Sequence, residues 1–128
     1  MRLLLDTHTL LWLAWGHANL SAKARTLLTD PLNELWLSMV TIWEIAIKVN
    51  LKKLNLHAPY GTFMHAAFSA YNLRLMPITV QHGEELIGLP HHHRDPFDRL
   101  LIAQAMVEQI PIISADALFD AYPVQRLW

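Results

Sequence analysis

Asp6, Glu44, Asp98 and Asp116 stand far apart in the chain, each beside an apolar segment. Carboxylates gathered into one cleft repel one another, and some take up protons unless a cation joins them. With oxygen donors and no cysteine in the chain, Mg²⁺ or Mn²⁺ is favoured over zinc. Such an ion suits phosphate oxygens and can activate a water for in-line displacement, so the chemistry of such a cluster would be phosphodiester hydrolysis. Each acid also has a plain structural role open to it. Asp6 and Asp116 can cap the segments that follow them, because Asp is a favoured helix cap. Glu44 lies in MVTIWEIAIKVNL, where Thr41, Glu44 and Lys48 form one polar stripe at spacings of three and four. That stripe can face water, with a Glu44–Lys48 pair worth only a few tenths of a kcal/mol, or it can face a polar cleft within a buried helix.

The stretch HHHRDPFDRLLIAQA, residues 91–105, sets three histidines and two aspartates against an apolar helix. Asp95-Pro96 fits a helix cap followed by proline in the first helical position. Asp98 then falls in the first turn, where a carboxylate suits the helix dipole. One cap needs one carboxylate, so Asp98 is free to point elsewhere. Arg94 and Arg99 flank the pair and can balance its charge or touch an anionic ligand. Consecutive histidines on an extended loop point in different directions, whereas helical zinc ligands are spaced i, i+4. His91, His92 and His93 are therefore expected in a solvated loop. His8 follows Asp6 by two residues and can line the same cleft or sit free on the surface.

The elements that must position these groups alternate. Strands are expected over Arg2–Asp6, Glu34–Ser38, Leu73–Pro77, Ile110–Ser114 and Val124–Trp128. Helices are expected over Thr9–Trp15, Ala22–Thr29 (capped by Ser21), Met39 to about Lys52, Pro59–Asn72, Val80–Gly88 and Pro96–Gln109, with a helical turn or two over Asp116–Tyr122. The strands are continuous apolar runs, which argues for a parallel sheet covered on both faces. In such sheets, sites form at the carboxyl ends of the strands. Asp6 ends the first strand and Asp116 lies just past the Ile110–Ser114 strand, so one edge would carry both.

A length of 128 residues predicts one domain over residues 1–128. The absence of cysteine excludes a Cys-zinc site and a thiol nucleophile. Apolar residues make up 53 % of the chain and charged residues 16 %, against about 25 % charged in typical domains. That excess, with five tryptophans, predicts apolar surface facing another chain. A net charge of −1 gives no basic footprint for nucleic acid, although a local patch can exist on a neutral protein. The apolar stretch after Met1-Arg2 stops at Asp6, too short for a secretory signal, and no stretch reaches the ~18 residues of a membrane span. These features predict a soluble cytoplasmic protein.

RLLLDTHTLLW, SMVTIWEIAIK, HHHRDPFDRLLIAQA and IISAD, in this order and spacing, resemble the PIN domain and, within it, the VapC-type ribonuclease toxins of prokaryotic toxin–antitoxin pairs. DPFDRLLIAQA is the most specific part. The resemblance implies an α/β/α sandwich around a mostly parallel sheet of about five strands. It implies that Asp6, Glu44, Asp98 and Asp116 hold Mg²⁺ or Mn²⁺, with Asp6 and Asp98 as principal ligands and Asp116 and Glu44 completing the site directly or through waters. Asp95 is then the structural cap. Thr7, His8, Ser114 and Arg99 are the residues expected to support the site or touch substrate. RNA as substrate, a homodimer and a cognate antitoxin covering the site follow from the same likeness. A nuclease of this fold acting on DNA, and a non-catalytic dimerisation or partner-binding module whose acids are caps, are the alternatives.

Overall fold

A computed structural model describes residues 1–128. The element order is β1 (Arg2–Leu5), α1 (Thr7–Trp15), α2 (Ala22–Thr29), β2 (Glu34–Ser38), α3 (Met39–Asn50), α4 (Tyr60–Ala70), β3 (Arg74–Met76), α5 (Val80–Ile87), α6 (Pro96–Glu108), β4 (Ile112–Ile113), a 3₁₀ turn (Ala117–Ala121) and β5 (Arg126–Leu127). The strands form one sheet in the order β3-β2-β1-β4-β5, and every pairing is parallel.

β1 shows why the continuous apolar run matters. Leu3, Leu4 and Leu5 are all fully buried, yet they serve two cores. Leu3 and Leu5 pack with Leu10, Leu13, Ala24, Leu28 and Met64 from α1, α2 and α4. Leu4 packs on the other face with Leu101, Ile102 and Ala105 of α6. Each such leucine contributes roughly 2 kcal/mol by burial. The result is the three-layer α/β/α sandwich with a five-stranded sheet, here parallel throughout.

The strands differ most from expectation in length. β4 is two residues long rather than five. Its approach is taken up by the end of α6, where Gln109 turns left-handed and Ile110 N–H bonds back to the Ala105 carbonyl. Pro111 then has no N–H to give to the ladder. α1, in contrast, begins two residues earlier than expected, at Thr7, because Asp6 itself caps it. It ends at Gly16, whose φ of 62° is the left-handed conformation that glycine adopts without cost.

Leu5 aligns with Leu37 on one side and Ile113 on the other. The residues that follow, Asp6, Ser38 and Ser114, therefore emerge side by side at the carboxyl edge. The chain runs outward through β2 and β3, then returns to place β4 on the other side of β1. That reversal of order is where open α/β sheets form their clefts. No helix is long and apolar enough to cross a membrane. No tryptophan is fully buried, and Trp43, Leu32, Val80 and Ile87 are well exposed.

Candidate metal centre

Asp6 is held from both sides. Its Oδ1 accepts the Thr9 N–H at 2.7 Å, which caps α1, and its Oδ2 accepts the Ser114 hydroxyl at 2.5 Å. Cap and cleft are thus not alternatives, because a carboxylate has two oxygens. Burial raises the Asp6 pKa, against the Ser114 and Thr9 hydrogen bonds and the charge of nearby His8. Ser114 is fully buried and joins two acids: its hydroxyl donates to Asp6 while its oxygen accepts the Asp116 N–H at 3.0 Å.

Glu44 is buried, as is Thr41. The polar stripe of α3 faces inward rather than into water. Thr7 donates its hydroxyl to Glu44 Oε1 at 2.6 Å, with the Thr41 hydroxyl 3.3 Å away, and Lys48 pairs with Glu44 Oε2. His8 is exposed beside this edge, with its ring against Trp12.

Asp95 caps α6, accepting the N–H groups of Phe97 and Asp98 at 2.8 and 3.0 Å. Asp98, one turn on, is the poorly satisfied carboxylate. Its one side-chain contact is His93 Nε2, 3.2 Å from Oδ2. Burial foremost, then the charges of Asp95, Asp6, Glu44 and Asp116, push it up to about 8 from an ordinary 3.8. Asp116 caps the 3₁₀ turn through Oδ1, which accepts the Leu118 N–H at 3.0 Å, while Oδ2 meets His93 Nε2 at 2.7 Å.

The histidine loop departs from the sequence-based expectation. His91 and His92 are exposed, but His93 is buried and turned into the acids. One atom from each of His93, Asp98 and Asp116 lies within 4.8 Å of the other two; Asp6 and Glu44 stand outside that tight group. The loop is a built object. Tyr122 accepts the His93 N–H at 2.7 Å and donates its hydroxyl to the Pro90 carbonyl at 2.8 Å. Arg99 donates from its guanidinium to the carbonyls of Leu89, Pro90 and His93 and so braces the loop. The available signal for His93 was its place two residues before a capping aspartate; the direction of a loop side chain has no periodicity to reveal it.

These groups can hold a hard divalent cation: carboxylate oxygens dominate, and a cation would relieve the crowd of negative charge around Asp98. A separate hollow lies at the opposite edge of the sheet between Asp30, Asn33, Tyr71 and Arg74.

No curated protein matches the sequence. Solved structures are similar over nearly the full length at low identity. VapBC2 from Rickettsia felis, bound to a promoter DNA fragment, aligns with a TM-score of 0.76 at 15 % identity, covering 100 % of this chain and 99 % of that one. VapBC-1 from nontypeable Haemophilus influenzae gives 0.66 at 17 %, covering 99 % and 97 %. VapC20 of Mycobacterium tuberculosis, described as a toxin that cleaves the sarcin-ricin loop, gives 0.64 at 16 %, covering 93 % of each. The sequence model of the PIN domain matches residues 3–125, nearly the whole chain, and on that match the protein belongs to the PIN domain family.

Proposed function

We propose that this protein is a Mg²⁺- or Mn²⁺-dependent endoribonuclease, the toxin of a VapBC-type pair. The observation that carries the reading is the state of Asp98: half-buried beside the carboxyl edge, with no hydrogen bond to its carboxyl, only His93 Nε2 at 3.2 Å, and four other acids pressing on it. A fold does not need such a group, whereas a cation site does. Asp6 and Asp98 would be the principal ligands, with Asp116 and Glu44 completing the site directly or through waters. A bound Mg²⁺ or Mn²⁺ supplies the charge that makes a water nucleophilic and neutralises phosphate oxygens. The chain's own part is orientation. Ser114 and Thr9 N–H fix Asp6, and Thr7 and Lys48 fix Glu44, so the carboxylates keep their places before any ligand arrives. Cleavage by water leaves 5′-phosphate and 3′-hydroxyl ends.

The likeness to toxin–antitoxin complexes supports an antitoxin as partner, and the exposed Trp43, Val80 and Ile87 provide apolar surface for it and for a second copy of the chain. The purified protein with Mn²⁺ should cut single-stranded RNA and spare flap DNA of matched length. Asp98→Asn should lower that cleavage by about a hundredfold or more with the fold intact. Wild-type rates in the variant would refute the assignment, and preference for the flap would move the substrate to DNA.

A binding module without catalysis has one observation in its favour: Asp6, Asp95 and Asp116 do all cap. That module predicts no stabilisation by Mn²⁺ and a lower melting temperature for each Asp→Asn change at Asp6, Asp98 and Asp116. The metal site predicts that Asp98→Asn, which makes no cap, raises the melting temperature of the metal-free protein.

A further inference from the structure

His93 has both ring nitrogens committed. The Asp95 N–H points at Nδ1 across 3.1 Å. A backbone N–H can only donate, so Nδ1 offers its lone pair and the ring proton sits on Nε2. That Nε2–H donates to Asp116 Oδ2 at 2.7 Å, and Asp98 Oδ2 lies 3.2 Å from the same nitrogen. The residue is 7 % exposed and its ring lies against Phe119, with centroids 5.6 Å apart. Its own backbone is clamped, N–H by Tyr122 and carbonyl by Arg99. Neither ring nor loop can turn without breaking several of these bonds.

We propose that His93 is a positioning residue of the cation site, a fixed Nε2–H donor to Asp116 set between that acid and Asp98, and not a ligand. The inference rests on the metal reading above and deepens it. As a ligand through Nε2, the ring would have to move its proton to Nδ1, where the Asp95 N–H already points, and one of two facing donors would be left unmet. As a donor to Asp116, the ring removes part of the repulsion between two acids on different elements, α6 and the 3₁₀ turn, whose oxygens lie within 4.8 Å of each other. It also withholds the lone pair of Nε2 from zinc, leaving carboxylate oxygens that suit Mg²⁺ and Mn²⁺.

Two substitutions separate the two ends of the ring. His93→Gln can place an amide N–H near the position of Nε2 but lacks the acceptor for Asp95. His93→Asn can place an acceptor near Nδ1 but has no donor that reaches the acids. Titration calorimetry of metal-free protein with MnCl₂ should show His93→Gln within about threefold of wild type and His93→Asn weaker by about tenfold or more. The reverse order, or two equal variants, would overturn the donor role in favour of a loop brace or a ligand. Long-range ¹H–¹⁵N spectra of the wild type should report the Nε2–H tautomer before and after MgCl₂. Loss of the Nε2 proton on adding Mg²⁺ would make His93 a ligand and end the proposal. Wild-type protein that takes up no Mn²⁺ overturns the metal reading itself; wild type that binds, with His93→Asn binding equally well, overturns this inference alone.

Discussion

His82 starts α5 fully buried, its Nδ1 accepting the Thr79 N–H at 3.1 Å and its Nε2 against Glu108 at 2.8 Å. His93 leads into α6, its Nδ1 accepting the Asp95 N–H at 3.1 Å and its Nε2 against Asp116 at 2.7 Å. The bonding pattern is the same: a backbone N–H fixes the tautomer and the far nitrogen meets a carboxylate. The surroundings differ. Glu108 is the single acid at His82, its side chain 35 % exposed, so water screens the charge. At His93 the histidine meets two acids, and Asp6, Glu44 and Asp95 add their fields at Asp98. Buried histidine with a carboxylate is thus a structural unit of this chain. What marks one of the two as a candidate site is negative charge beyond what the histidine can balance.

The largest effect expected from that contrast is on stability at the balanced unit. His82→Ala removes a fully buried ring, opens a cavity and leaves the Thr79 N–H and Glu108 without a partner. The cost should be about 3 kcal/mol, read from the denaturation midpoint in urea. Mn²⁺ should leave that loss unchanged, since the ring touches none of the candidate ligands. If saturating Mn²⁺ restored the variant, His82 would belong to the metal centre and the comparison would fail.

The unbalanced unit should reveal itself through pH. Asp98 is held at about 8 in the fold and returns to about 3.8 when the chain opens. Between those values the folded group keeps its proton while the unfolded group has lost it. Unfolding then releases a proton, so the metal-free protein should lose stability as pH rises from about 4 to about 8. Asp6, also raised, adds with the same sign. The Asp98 share is on the order of 2 kcal/mol once the open side of the carboxyl is allowed for. Melting curves across that range should fall for the wild type and fall less for Asp98→Asn. Near pH 7 Mn²⁺ should displace the Asp98 proton, seen as a calorimetric heat that changes with the ionisation enthalpy of the buffer. A buffer-independent heat would show that Asp98 is already ionised or is not a ligand.

The sequence made the frame legible and left the charge balance hidden, for reasons that differ by residue. RLLLD reads as a strand ending in a carboxylate because two-sided burial leaves an unbroken apolar run, and Leu3, Leu4 and Leu5 are buried that way. Asp95-Pro96 reads as a cap because the cap is local chemistry, complete within four residues. Glu44 could be given a face but not the contents of that face, since Thr7 and α1 meet it only through the fold. The partners of Arg99 were out of reach altogether: nothing in RDPFDR says that its guanidinium meets three carbonyls six, nine and ten residues back. His93 was hidden similarly, because Tyr122, which helps to hold it, comes 29 residues later.

The finest test is one chemical change made at both histidines. Glu108→Gln and Asp116→Asn each replace a carboxylate that faces an Nε2–H with a neutral amide of the same shape. At His82 the change weakens a charge-assisted hydrogen bond and relieves nothing, so the metal-free protein should lose up to about 1 kcal/mol. At His93 the same loss is opposed by the removal of one of the acids that press on Asp98. The Asp98 proton should then leave at lower pH, and stability at pH 8 should hold level or rise by a few tenths of a kcal/mol. Guanidinium melts of both variants without metal, at pH 5 and pH 8, supply the comparison. Two losses of equal size at pH 8 would mean that the acids around His93 are as well balanced as Glu108, and the charge surplus on which the metal centre depends would not exist.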